Sequence, residues 1–326
     1  MAAALLLLLL LVPPVGLLAA LAFLTRPRAA RILLKGRHVF ITGGSSGIGL
    51  ALATAPLRGR ARGSPDARAA IRLATGLDVG VHQADVRDAA AVARALDDAG
   101  PVDVLVCNHG VFVPQELEKQ DMEEVKWMVD INLMGTFHLI KAALPAMKAR
   151  TRETSLPASI AIMSSQAGQV GVYGYTAYSA SKFALTGLAE SLQHEVISDD
   201  IHVSLIFLLT QRHRMSCTSA VFLLVAEKKK RPELTTIIAD SSGGMKADDV
   251  AKKALNGIKS GRFIIPCNFE GAMLAIATSG LTPQSSPLIA FVEVIGAGLM
   301  RFVALCFQWN WFSTIENWYA KNKKHG

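Results

Sequence analysis

The stretch HVFITGGSSGIGLALA, residues 38–53, decides the fold. His38–Thr42 is a β-branched and aromatic run of the kind that makes a buried strand. It leads into Gly43-Gly44-Ser45-Ser46-Gly47-Ile48-Gly49, and the apolar LALA that follows reads as a helix. Strand, glycine turn and helix together lift a glycine pattern above a flexible loop. Gly43 permits the tight turn, Gly47 lets the backbone approach a pyrophosphate, and Gly49 lets helix and strand pack closely. The first N–H groups and the dipole of the helix suit phosphate oxygens. With Ser45, Ser46 and Ile48, these glycines are the candidate cofactor-binding residues of the loop.

The alternation continues. Asp85-Val86 closes the strand-like VHQADV of residues 81–86, and a helix through 88–99 follows. VDVLVC, residues 102–107, is a second buried run and ends in Asn108-His109-Gly110. A long helix around 118–148 contains Asn132, and a strand over 159–164 runs into SSQAGQVGVYGYTAYSASKFA, residues 164–184. Strands alternating with helices predict an α/β chain with a parallel, doubly wound, Rossmann-like sheet. In the last stretch Tyr178 and Lys182, one helical turn apart, share a face. Ser165 stands thirteen positions before Tyr178, at the C-terminal end of a strand, the ligand side of an open α/β sheet. Alone, the Tyr-x-x-x-Lys pair also fits the surface of a small-residue helix. His109 reads as a structural loop residue.

In their order, T-G-G-x-x-G-I-G, D-V, N-H-G, N, S and Y-x-x-x-K resemble the short-chain dehydrogenase/reductase superfamily over about residues 36–206. The resemblance implies a catalytic set of Ser165, Tyr178, Lys182 and Asn132. It also implies that Asp85, Val86, Asn108, Gly110, Tyr178 and Lys182 meet the cofactor. In that reading Tyr178 gives a proton to a carbonyl oxygen, although a free phenol titrates only near pH ~10. The Lys182 ammonium and a nicotinamide cation favour the phenolate. Ser165 steadies the developing oxyanion, and Asn132 holds the proton-relay water. Cys107-Asn108-His109-Gly110 replaces the more usual Asn-Asn-Ala-Gly.

Within the superfamily, residues 164–196, residues 231–255 and the hydrophobic C-terminal region are similar to the 3-ketosphinganine reductases, particularly those of plants. The similarity implies NADPH-dependent reduction of 3-ketosphinganine to sphinganine and, in the family's manner, a homodimer or homotetramer. Two other readings stand beside it. One is reduction of another lipid-like ketone, a steroid or retinoid. The other is a catalytically impaired, membrane-bound paralogue with a binding role.

The two ends point to a membrane. Residues 1–24 carry no charge and suffice to cross a bilayer as one helix. A cleaved signal peptide is the rival reading. The positive n-region is missing, however, and Arg26, Arg28, Arg31, Lys35 and Arg37 follow the apolar run, which puts the catalytic domain in the cytosol behind an uncleaved anchor. Residues 271–282 and 287–307 are apolar, and an aromatic cluster from Trp309 to Tyr319 precedes Lys323-Lys324-His325-Gly326, which resembles an endoplasmic-reticulum retrieval signal. The expected organisation is an anchor over 1–24, a Rossmann domain over 36–265 and a membrane-associated region over 266–326. A net charge of +8 without an aromatic-interleaved basic patch points to anionic membrane lipid and away from nucleic acid. Cys107, Cys217, Cys267 and Cys306 lack metal or redox spacing, so no metal and no disulfide framework are expected.

Two stretches depart from the pattern. Residues 55–70, APLRGRARGSPDARAA, hold no Val, Ile, Phe or Tyr, so they cannot supply the expected second strand. They read as a basic loop in which Arg58, Arg60 and Arg62 could meet a 2′-phosphate. After residues 201–207 the family turns through PPDTETP, whereas this chain has Leu208-Leu209-Thr210-Gln211-Arg212-His213-Arg214. One coding string for FPPDTETP, with a single C removed, reads FLLTQRHR, the sequence at Phe207–Arg214. A local frame change that ends near Glu227 accounts for that substitution of the cofactor loop, but not for MSCTSAVFLLVA after Arg214.

Overall fold

The computed structural model describes residues 2–25, 31–54, 65–76, 78–208, 230–239 and 244–322. Contacts divide the chain into two compact units, Ala30–Gly271, and Met1–Ala29 with Ala272–Gly326.

The larger unit is built on five parallel strands in the order β1-β2-β3-β4-β5. They are β1 (Val39–Ile41), β2 (Val104–Cys107), β3 (Ala158–Met163), β4 (Ile201–Phe207) and β5 (Ile264–Pro266). Val39 pairs with Val104, Leu105 with Ile160, Ile160 with Val203, and Leu205 with Ile264. Strands covered on both faces read as unbroken apolar runs because helices exclude water from each side. Side chains nonetheless alternate between two cores, as the two-residue period of a strand requires. Val39, Ile41, Val104, Val106, Ala161 and Ile206 meet α2 (Gly47–Thr54) and α9 (Ala247–Lys259). Phe40, Leu105, Cys107, Ile160, Val203 and Leu205 face α4 (Ala89–Ala99), α6 (Gly135–Thr154) and α7 (Thr176–Val196). The sheet is therefore doubly wound.

The helix expected around 118–148 is α5 (Met122–Val129), a five-residue π-turn (Asp130–Met134) and α6 in one continuous run. Asp121 caps α5 and Asp88 caps α4, each accepting from backbone N–H groups of its first turn. A short helix α8 (Glu233–Ala239) precedes α9.

One expected strand is not formed. Residues 81–86, VHQADV, enter no sheet ladder. A strand needs a neighbour to satisfy its backbone groups. The described part of the preceding stretch, α3 (Pro65–Thr75), is helical, so no second strand stands there to pair with it. Residues 55–64, with Arg58, Arg60 and Arg62, lie outside the described residues, as do residues 209–229 with the altered loop.

The smaller unit holds α1 (Ala2–Thr25), the end of α10 (Phe269–Ala277) and α11 (Pro287–Asn322), with α1 packed on α11. α11 is long and apolar enough to cross a membrane. The aromatic cluster expected from Trp309 to Tyr319 lies on this helix, with Trp309 and Phe312 exposed and the Trp318 and Tyr319 rings packed edge to face.

Candidate active site

Three strand ends meet at the site. β1 ends at Ile41, and the chain turns through Gly43 and Gly47 with φ of 62° and 54° into α2. This left-handed backbone is the region that glycine enters without a Cβ penalty. At Gly49 a Cβ would come within 2.2 Å of the Gly43 carbonyl oxygen and 2.6 Å of Asn108 Nδ2, so the helix start lies directly on the turn. β2 ends at Cys107, and Asn108 Nδ2 donates to the carbonyls of Thr42 (3.1 Å) and Gly43 (3.4 Å). Ile48 is buried beneath the turn, Ser46 is half-buried and Ser45 is exposed. Gly43, Ser45, Ser46, Gly47, Ile48, Gly49 and Asn108 are thus one assembly at the C-terminal edge of the sheet.

Gly110 joins this assembly to the catalytic candidates, because a Cβ there would lie 3.3 Å from Asn132 Oδ1 and 3.4 Å from Lys182 Nζ. Val86 packs against Gly135 at the start of α6, and its carbonyl accepts from His138 Nδ1 at 2.9 Å. Asp85 is exposed and pairs with Arg87 at 2.6 Å. Hydrogen bonds from Arg87 hold its carboxyl below the usual range.

Asn132 lies in the π-turn and is 1% exposed. Its amide grips the Val111 backbone from both sides, accepting from the Val111 N–H at 2.8 Å and donating to the Val111 carbonyl at 3.0 Å. The same Nδ2 donates to Ser181 Oγ at 3.0 Å, and Ser181 Oγ donates to the Tyr178 carbonyl at 2.7 Å. Asn132 therefore anchors the turn of α7 that carries Tyr178 and Lys182.

Lys182 is buried, and Nζ donates to the Met163 carbonyl at the end of β3 at 3.0 Å. Nζ also lies 5.7 Å from the centroid of the Tyr178 ring. Burial lowers the Lys182 pKa to about 8, which leaves the ammonium charged at neutral pH. A charge at that distance favours negative charge on the phenolic oxygen. Phe112 packs edge-on against both Tyr175 and Tyr178, with centroids 4.7 and 4.6 Å away, and fixes the tilt of the Tyr178 ring.

The adjacent serines divide their work. Ser164 Oγ donates to the Lys182 carbonyl at 3.3 Å, so its proton is committed to α7. Ser165 Oγ accepts from the Ala167 N–H at 3.2 Å as the cap of a short 3₁₀ turn, a role that does not use its own proton. A phenol (Tyr178), a hydroxyl (Ser165) and a buried cation (Lys182) therefore share one strand end and one helix.

Several participants escape a reading of residues alone. Ser181 and Thr42 are small polar residues whose roles depend on partners far away in the chain. Thr42 Oγ1 accepts from the N–H groups of Asn108 (2.9 Å) and His109 (3.2 Å). Gln166, next to Ser165, donates through Nε2 to Asn268 Oδ1 at 2.7 Å, which joins the β3 and β5 ends. The position of Thr42 directly before the glycine turn is a signal that could have found it. Gln166 has no such mark. Among the described residues no group of His, Cys, Asp and Glu could hold a metal ion. Cys107, Cys267 and Cys306 are free, and Cys217 lies outside the described residues.

Comparisons with known proteins agree with this fold. The short chain dehydrogenase family matches residues 37–210. The 3-dehydrosphinganine reductase TSC10B of Arabidopsis thaliana is 53% identical over 95% of this chain and 93% of its own. TSC10A of the same plant, also a 3-dehydrosphinganine reductase, is 54% identical over 90% of each chain. Estradiol 17-beta-dehydrogenase 1 of Rattus norvegicus is 39% identical over 52% of each. Among solved structures, a short chain dehydrogenase/reductase from Burkholderia phymatum in complex with NAD covers 77% of this chain and 97% of its own, with a TM-score of 0.62 and 24% identity, a likeness of fold. Sequence and fold agree, and the chain belongs to the short-chain dehydrogenase family of oxidoreductases.

Proposed function

We propose that the protein is an NADPH-dependent 3-dehydrosphinganine reductase that converts 3-ketosphinganine to sphinganine at the endoplasmic-reticulum membrane, with its catalytic unit in the cytosol. The observation that carries this reading is the extent of likeness to the two plant reductases. It covers 95% and 90% of this chain, whereas the match to the steroid enzyme covers 52% of each chain.

The residues fit a dinucleotide. The cradle at Gly43 and Gly49 has no room for side chains, and the start of α2 offers backbone donors. Gly43, Ser45, Ser46, Gly47, Ile48, Gly49, Asn108 and Gly110 would hold it, with Val86 and Asp85 toward its adenine side and Lys182 and Tyr178 toward the nicotinamide ribose. Bound NADPH would supply the hydride for the carbonyl carbon. Tyr178 gives its phenolic proton to the carbonyl oxygen, which becomes the product hydroxyl. Ser165 donates a hydrogen bond to that oxygen as negative charge develops on it. Lys182 stabilises the resulting phenolate, and Asn132 keeps the α7 turn and the relay water in register. Phe137 and Phe183, exposed on α6 and α7, are apolar area that pairing of two copies through these helices would cover.

Residues 266–326, with α1, would meet the bilayer from which a long-chain amino ketone must be drawn. The test is NADPH oxidation by membranes that express the full chain, with 3-ketosphinganine added. Tyr178→Phe is expected to lower turnover by roughly 10²-fold or more, the worth of a positioned proton donor. Equal turnover in both proteins would remove Tyr178 from the mechanism. No turnover in either would favour the impaired paralogue.

A further inference from the structure

The π-turn creates a demand that His109 meets. In an α-helix the Gly135 N–H would bond the Ile131 carbonyl, but here it bonds Asp130 instead. That shift takes the Gly135 N–H away from the Ile131 carbonyl, and an unpaired buried carbonyl costs about 1–3 kcal/mol. The Ile131 backbone stands within polar reach of the His109 ring. Its Nε2 is the nitrogen on that side, 3.5 Å from Thr136 Oγ1 and 3.1 Å from where a Cβ on Gly135 would lie. Gly135 thus makes room for the ring.

The other nitrogen is fixed by Thr42. Thr42 Oγ1 already accepts two backbone N–H groups, and Nδ1 of His109 lies 2.9 Å from it. The hydroxyl also lies 3.3 Å from the Val106 carbonyl, but that oxygen already accepts the Thr42 N–H at 3.0 Å, so the proton goes to the nearer Nδ1 and the neutral ring carries its own proton on Nε2, on the side of the π-turn. Burial, and next the Lys182 charge, push the His109 pKa down to about 4, which keeps the ring in that neutral form. Thr136 Oγ1 in turn donates to the Asn132 carbonyl at 2.9 Å.

We propose that His109 is a positioning residue for the reductase reaction: it caps the Ile131 carbonyl left over by the π-turn, and so holds Asn132, and through Ser181 the Tyr178 turn, in register with the Thr42–Gly43 turn. The inference rests on the reaction read above. It assigns His109 neither substrate contact nor proton transfer.

The experiment compares full-length His109→Gln and His109→Met with the wild type in native membranes. Both side chains approximate the volume of the ring. Only Gln can accept from Thr42 and donate to Ile131. His109→Met is expected to lower kcat roughly 10- to 100-fold, the scale of a sub-ångström misplacement, with KM for NADPH within about 3-fold. His109→Gln is expected to recover kcat to within about 3-fold of wild type. Amide exchange across residues 130–136 should quicken in the Met protein and return in the Gln protein. Equal kcat in Met and wild type, or Gln as slow as Met, would overturn the proposal. If the wild type itself does not turn over 3-ketosphinganine, the reaction reading fails, and unchanged exchange in the Met protein would then sink the cap as well.

Discussion

Lys182 shows what a single buried residue costs and supplies. Burial lowers its pKa from the ordinary 10.5 to about 8. Between those values the unfolded chain holds a proton that the folded chain has released, so this residue adds stability as pH rises through that window. Below about 8 both states are charged and the burial penalty is fully present. Detergent-solubilised wild type is therefore expected to gain in melting temperature relative to Lys182→Met as pH is raised from about 8 to about 10. Parallel curves across that range would contradict the burial of a titrating ammonium. At this scale the sequence is legible where chemistry is local. Tyr178 and Lys182 are marked by their spacing and Ser165 by its place at a strand end. Ser164 and Ser165 become distinguishable only once the Lys182 carbonyl is seen to take the Ser164 proton. Thr42, Ser181 and Gln166 stay hidden because their partners are more than forty residues away.

Among the elements, buried strands are read to within a few residues because an apolar run of that length has few other uses. β4 falls on the expected residues 201–207, and β2 forms within the expected 102–107. VHQADV fails for a reason outside itself: its apolar residues suit a strand, but among the described residues no neighbour offers it a ladder. The break of the long helix at Asn132 is equally nonlocal, since the π-turn carries the grip of Asn132 on Val111, twenty-one residues away. The contact between turn and helix at Gly49 gives the sharpest prediction here. In Gly49→Ala the new methyl would meet backbone at 2.2 Å, which no side-chain rotation relieves. The expected loss is on the order of 1–3 kcal/mol or more, together with NADPH binding, measured by denaturant unfolding and fluorescence titration. Unchanged stability and affinity would contradict the packing of α2 on the glycine turn.

Over the whole molecule, the sequence divides into an anchor, a dehydrogenase core and a hydrophobic end, whereas the contacts gather both ends into one unit. That grouping is invisible in the sequence because residues 26–286 separate α1 from α11. α11 spans about 54 Å at 1.5 Å per residue, more than the ~30 Å hydrocarbon core. We expect a protein lacking residues 1–25 to stay in the carbonate-washed membrane pellet through α11. Its release to the supernatant would assign membrane attachment to α1 alone. The central claim is hydride delivery to the third carbon of a long-chain amino ketone in the Tyr178 site. The direct measurement is mass spectrometry of the product formed by the full chain from 3-ketosphinganine and NADPH deuterated at the transferable position. Sphinganine with a single deuterium on carbon 3 is expected, formed roughly 10²-fold or more slowly by the Tyr178→Phe protein. Unlabelled sphinganine, or none from a folded protein that binds NADPH, would contradict it.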